Sequence, residues 1–189
     1  VPDPLNLSLW LRDRERDPLI ERFETLLRVF PFSRQRPGIA SVRVYALEYA
    51  EPPVFEYAFA EETDASEVAA LCREFANPDC AYTVEGWWDL WTYDRGWRLE
   101  PSAVSVTCFG PEFENPEEDH FRIDLGPESR YLPEPGLPEG TRMAQSNLKS
   151  VLRLAGELAE SLPLEGKRLW TESDEDFAER LEEVLEEEG

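Results

Sequence analysis

Between Ala81 and Tyr93 the chain reads Ala-Tyr-Thr-Val-Glu-Gly-Trp-Trp-Asp-Leu-Trp-Thr-Tyr, a run of aromatic and β-branched residues that fits a pleated strand far better than a helix. Side chains alternate sides along a strand, so Tyr82, Val84, Trp88 and Leu90 fall on one face and Glu85, Trp87, Asp89, Trp91 and Tyr93 on the other. Both faces therefore carry large rings. One is expected to be core; the other mixes flat rings with carboxylates, as a site for a sugar, a cationic group or a peptide does. The plainer expectation is that the C-terminal half of the chain covers that second face, because large aromatics are most often buried for packing.

The neighbouring segments supply partners for such a strand. Leu5, Leu7, Leu9 and Leu11 recur at a period of two and predict a strand with one apolar face. After Asp17-Pro18, which suit a helix cap and first turn, Leu19, Ile20, Phe23, Leu26, Leu27 and Phe30 recur at helical spacing until Pro31. Strands are expected at 42–49 and 54–59. A helix should follow from Asp64, whose spacing to Glu67 is that of a capping box, to Phe75.

The resulting order βαββαβ is that of the ferredoxin-like split βαβ arrangement, an antiparallel sheet with both helices on one face. Beyond Asp94-Arg95-Gly96 a hairpin return is expected from Trp97, then strands around Val104–Cys108 and Phe121–Leu125. The four prolines of 126–142 predict a long extended connection without regular elements. A helix from about Ser146 to Leu162, a short strand at 168–171 and a last helix over 173–185 complete a ββαβα second half. The expected fold class is thus α+β, as one domain over 1–189, with 96–100 as the place where two lobes would divide.

Charge narrows the functional classes. Forty-one acidic against 19 basic side chains leave a formal net charge of −22, and only two lysines, Lys149 and Lys167, occur. Nucleic acid and anionic membrane surfaces, which are bound by clustered Lys and Arg, are not expected partners. A basic protein is. Three cysteines, Cys72, Cys80 and Cys108, are an odd number in a chain large enough to fold without disulfides, which predicts reduced thiols and a cytoplasmic setting. No apolar run approaches the roughly 20 residues of a membrane span, and residues 1–11 lack the layout of a secretory signal.

Catalytic signatures are sparse. Glu85 and Asp89 suggest paired carboxylates, but four strand residues separate them by roughly 13 Å, more than the roughly 5–9.5 Å across a glycosidic bond. His120 is the single histidine, which removes metal sites needing two, and it is expected on the exposed side of its strand. A Cys108–His120 dyad is disfavoured because the two are out of phase with the apolar residues around them. Cys108 reads instead as a small buried hydrophobe. Arg34 and Arg36 form one small basic cluster, more often paired with surface acids than with a ligand.

No glycine-rich phosphate loop, nucleophile elbow or zincin motif is present, and no cofactor or metal is expected. The sequence therefore points first to a non-enzymatic binding protein for a basic partner, of the inhibitor or antidote type. Second comes a small-molecule-binding protein or enzyme using an aromatic-acidic pocket formed by Glu85, Trp87, Asp89, Trp91 and Tyr93.

Overall fold

A computed structural model describes residues 3–14, 16, 18–132 and 138–172. Its elements in chain order are β1 (Pro4–Leu11), α1 (Leu19–Val29), β2 (Ile39–Ala46), β3 (Phe55–Ala58), α2 (Ala65–Glu74), β4 (Cys80–Tyr93), β5 (Trp97–Phe109), β6 (Phe121–Pro127), a 3-10 turn (Glu128–Arg130), α3 (Pro138–Ser161) and β7 (Leu164–Trp170). The class is α+β. All seven strands join one antiparallel sheet in the order β3-β2-β4-β5-β6-β1-β7. No helix among the described residues is long and apolar enough to cross a membrane.

Local chemistry sets the helix ends. Asp64 accepts a hydrogen bond from Glu67 N at 2.9 Å and caps α2 as its spacing predicts. α1 stops where Phe30 turns extended ahead of Pro31, the conformation that a following proline imposes. Pro18 precedes α1 without a side-chain cap, and Asp17 lies outside the described residues.

The three helices among the described residues cover the same side of the sheet. Leu5, Leu7, Leu9 and Leu11 of β1, Val42 and Val44 of β2, Tyr82, Val84, Trp88 and Leu90 of β4, and Phe121, Ile123 and Leu125 of β6 form one core with Phe23, Val68, Leu148 and Leu158 of the helices. Phe23 stacks on Phe121 with centroids 6.1 Å apart, and Phe30 packs on Trp88 at 5.5 Å. Burying each such ring contributes on the order of 2–3 kcal/mol, which is why the apolar parity of the strands decides which side the helices take.

The ferredoxin-like topology is not what forms. In a split βαβ arrangement the first two strands flank a single strand, whereas here β4, β5 and β6 all lie between β2 and β1. Element order alone does not fix strand order. β6 is pulled to β1, with Leu7 opposite Ile123 and Leu9 opposite Phe121, and it occupies the edge that the simpler fold would have used.

Several elements differ from expectation in extent. Residues 97–109 form one strand rather than two, paired with β4 over its full length from Tyr93–Trp97 to Ala81–Phe109. The connection at 126–142 is not irregular throughout: it holds the end of β6, the 3-10 turn and the start of α3, which begins at Pro138 rather than near Ser146. A proline at a helix start costs no hydrogen bond, so the proline-rich run ends where helix begins. β2 spans 39–46 rather than 42–49 because Leu47 adopts a left-handed φ of 68° and turns the chain away. The expected helix over 173–185 lies outside the described residues.

Candidate functional site

Among the described residues the helices cover one side only; on the other side Ala81, Phe109 and Phe113 form a second small cluster and Asn6, Ser8 and Thr107 are buried, so that side is exposed chiefly toward the β4–β5 hairpin. Among the described residues the C-terminal half places no helix over the second face of strand 81–93: α3 joins the core on the side of Trp88 and Leu90 and β7 extends the sheet edge, while 173–189 lie outside the described residues.

Two cross-strand rows run over this open side. One reads Glu56, Arg43, Thr83, Thr107, Arg122, Ser8 and Arg168 from edge to edge; the next reads Ser41, Glu85, Ser105, Asp124, Asn6 and Trp170. Neither row could serve as apolar core. Each is the polar half of strands whose alternate residues are Leu, Val, Ile or Phe.

Within the rows most charges are matched. Arg43 reaches Glu56 at 2.8 Å and Glu85 at 2.9 Å, and these carboxylates hold its guanidinium above its ordinary pKa. Asp119, in the loop after β5, is fully buried. It accepts from Ser8 Oγ at 2.6 Å, from Asn115 Nδ2 at 2.8 Å and from Arg122 at 2.9 Å (Nε) and 2.7 Å (Nη2). Burial alone would raise the Asp119 pKa, but these donors and the Arg122 charge together pull it below the usual carboxylate value. The Arg122 guanidinium lies 5.0 Å from the Phe109 ring and 5.4 Å from the Trp170 ring, and Trp170 Nε1 donates to Ser8 Oγ at 2.8 Å.

Asp124, two residues along β6, is different. It accepts from Gly126 N at 2.9 Å, no cation is paired with it among the described residues, and burial pushes its carboxyl pKa upward. Asp124 lies against a recess of about 290 Å³ whose lining includes Tyr45, Tyr49, Trp170 and Glu172.

The residues singled out on β4 do lie along this same open face. Glu85 is taken by Arg43 and by Ser41 Oγ at 3.3 Å, Trp87 lies 5.4 Å beneath the Arg36 guanidinium, and Asp89 accepts from Ser33 Oγ at 2.7 Å. Arg36 thus has an aromatic partner; the loop that carries it runs along β4 through Ser33 N to Trp87 O and Trp87 N to Gly38 O. Trp91 and Tyr93 stand at the hairpin end, where Trp97 contacts both rings at 6.3 and 5.3 Å. Trp91, Tyr93, Trp97 and Leu99 each keep about two fifths of their surface exposed, between 39% and 43%.

The thiols and the imidazole are structural. Cys72, Cys80 and Cys108 are free and buried; burial pushes Cys72 up to about 12 and Cys80 up to about 11, and raises Cys108 well above the ordinary thiol value. Cys108 sits opposite Phe121 on the core side. His120 does not stand on an exposed strand face: it precedes β6, half-buried, and its Nδ1 accepts from Leu11 N at 2.8 Å. Burial first and the Arg14 charge second lower its pKa to about 4.

Sequence reasoning passed over Asp119, Arg122 and Asp124. The signal was present, because Arg122 and Asp124 alternate with Phe121, Ile123 and Leu125 and must face away from the core. Among the described residues no group of three or more His, Cys, Asp or Glu side chains is arranged to hold a metal ion. Comparison with protein-family models, with curated proteins and with solved structures finds no match to this chain.

Proposed function

We propose that this chain is a binding protein that docks a basic protein partner on the open side of its sheet, in the manner of an inhibitor or antidote. The observation that carries the reading is the group Trp91, Tyr93, Trp97 and Leu99, four large side chains left two fifths exposed together at one end of that side. Tryptophan and tyrosine supply large contact area at low entropic cost and dominate protein interfaces. The net charge of −22 supplies long-range attraction to a cationic surface and repels phosphate backbones. Glu85 and Asp89 favour a surface over a small-molecule cleft, since both are engaged by internal partners rather than presented to a ligand.

The test is capture of partners from source lysate at low and high salt with the wild-type chain and with Trp91→Ala and Trp97→Ala. The reading expects a basic protein that is retained at low salt, released at high salt and lost with either substitution while the melting temperature stays unchanged. Recovery of no basic protein at low salt overturns it, as does retention that ignores both tryptophans.

A further inference from the structure

We propose that the recess between Tyr45, Tyr49 and Trp170 receives a single Lys or Arg side chain of the docked partner, with the Asp124 carboxylate as its counter-ion. This rests on the binding reading above and gives it a specific anchor.

Strand register places the recess. Asp124 of β6 stands between Ser105 of β5 and Asn6 of β1, the two central neighbours of its row, with Trp170 of β7 one strand further. Asp124 lines a recess together with its flanking Ser105 and Asn6 and the rings of Tyr45, Tyr49 and Trp170. Tyr49 is itself braced, edge-on to Tyr45 at 4.8 Å and to Phe113 at 5.1 Å. The volume of about 290 Å³ lies at the lower limit of the roughly 300–1,000 Å³ of small-molecule pockets, and suits one inserted side chain.

Charge selects the sign of the occupant. The one cation in the lining, Arg122, is already held by both oxygens of Asp119. Among the described residues Asp124 has no cation paired with it, and Glu172 adds a second carboxylate to the lining. A buried or half-buried charge without a partner is costly, and an incoming ammonium or guanidinium relieves that cost while the aromatic walls cover its apolar stem. The raised pKa of Asp124 agrees with a carboxyl that has no cation of its own. The occupant is a protein side chain rather than a free polyamine because the recess opens on the same broad sheet face that ends in the exposed Trp91–Trp97 group.

The experiment uses the full chain and the peptide acetyl-(Gly-Arg)3-amide. A matched peptide with citrulline in place of arginine, which keeps the shape without the charge, is the control, and spermidine is a third ligand. Binding is followed by the Trp170 indole N–H and Asp124 carboxyl resonances. The arginine peptide should shift both, and the citrulline peptide should not. Asp124→Asn should weaken binding at least tenfold, whereas Asp94→Asn, at the hairpin turn, should change it less than twofold.

Equal losses in the two variants overturn the proposal, because they would mean diffuse attraction to an acidic surface. So does spermidine binding as tightly as the peptide, which would make the recess a polyamine site. Asp124→Asn should fold normally, since the substitution removes an unpaired charge. Capture of the lysate partner separates the two readings: if Asp124→Asn retains it fully while Trp97→Ala loses it, the anchor is wrong and the docking face stands. If neither variant nor wild type captures a basic partner, the docking face itself is wrong.

Discussion

The side-chain amide of Asn147 closes on the backbone of Trp91 in both directions: Oδ1 accepts from Trp91 N at 2.8 Å, and Nδ2 donates to Trp91 O at 3.0 Å. Nδ2 also donates to Arg130 O at 3.0 Å. β4 outruns its neighbour β2 at Gly86, and the free edge beyond is met first by Ser33 and Gly38 and then by this asparagine of α3. An unpaired strand edge is a template for wrong pairing, and Asn147 imitates the missing strand. Asn147→Ala should therefore cost about 1–3 kcal/mol, lower the melting temperature by several degrees, and accelerate hydrogen exchange at the Trp91 amide. Unchanged exchange at that amide would show that the edge is held by other means.

Arg122 and Asp119 should prove strongly coupled. Removing Arg122 as Arg122→Met leaves a fully buried carboxylate without its cation, which costs on the order of 3 kcal/mol. Asp119→Asn is expected to be milder, because the amide keeps its shape and part of its hydrogen bonding. Urea unfolding of the two single variants and the double variant at pH 7 gives the coupling energy directly; additive losses would contradict the geometry.

His120 predicts a pH dependence with a definite sign. Its folded pKa is lowered to about 4 from 6.5, so between those values the unfolded chain takes up a proton that the folded chain refuses. The stability it confers is complete above about pH 6.5 and is lost as pH falls towards 4. His120→Gln should flatten this segment of the stability profile, with the difference between the two curves on the order of 1–2 kcal/mol after discounting for solvent screening. Parallel curves for the two proteins across that window would refute the assignment.

Glycine at position 86 is required by a neighbour rather than by a turn. A Cβ there would stand 2.2 Å from Gly38 O, where the α1–β2 loop crosses β4. Gly86→Ala should destabilise by about 2 kcal/mol or more because backbone must shift, and Gly96→Ala, with nothing within 4 Å, should cost little. Chemical denaturation of the pair settles the contrast.

Much of this architecture was written in short-range pattern. The leucines at 5, 7, 9 and 11 mark a strand with one apolar face, and the rings of 82–93 a strand with two unlike sides; the burial of Asn6 and Ser8 on the other face of β1 was not legible in that pattern. Capping chemistry at Asp64 and the proline at 31 set helix limits within a residue or so. What local pattern could not carry was neighbourhood. Which strand lies beside which depends on burial summed over the whole sheet, and a period of two looks the same in any strand order.

The same division holds for the candidate site. Alternation alone told that Glu85, Trp87, Asp89, Trp91 and Tyr93 share a face, because side-chain direction is a property of the backbone. Only tertiary structure decided that among the described residues no helix covers the face, that Arg43 and Ser33 occupy its first two carboxylates, and that no cation among the described residues pairs with Asp124. Those outcomes depend on contacts between residues far apart in the chain, whose distances no local periodicity encodes.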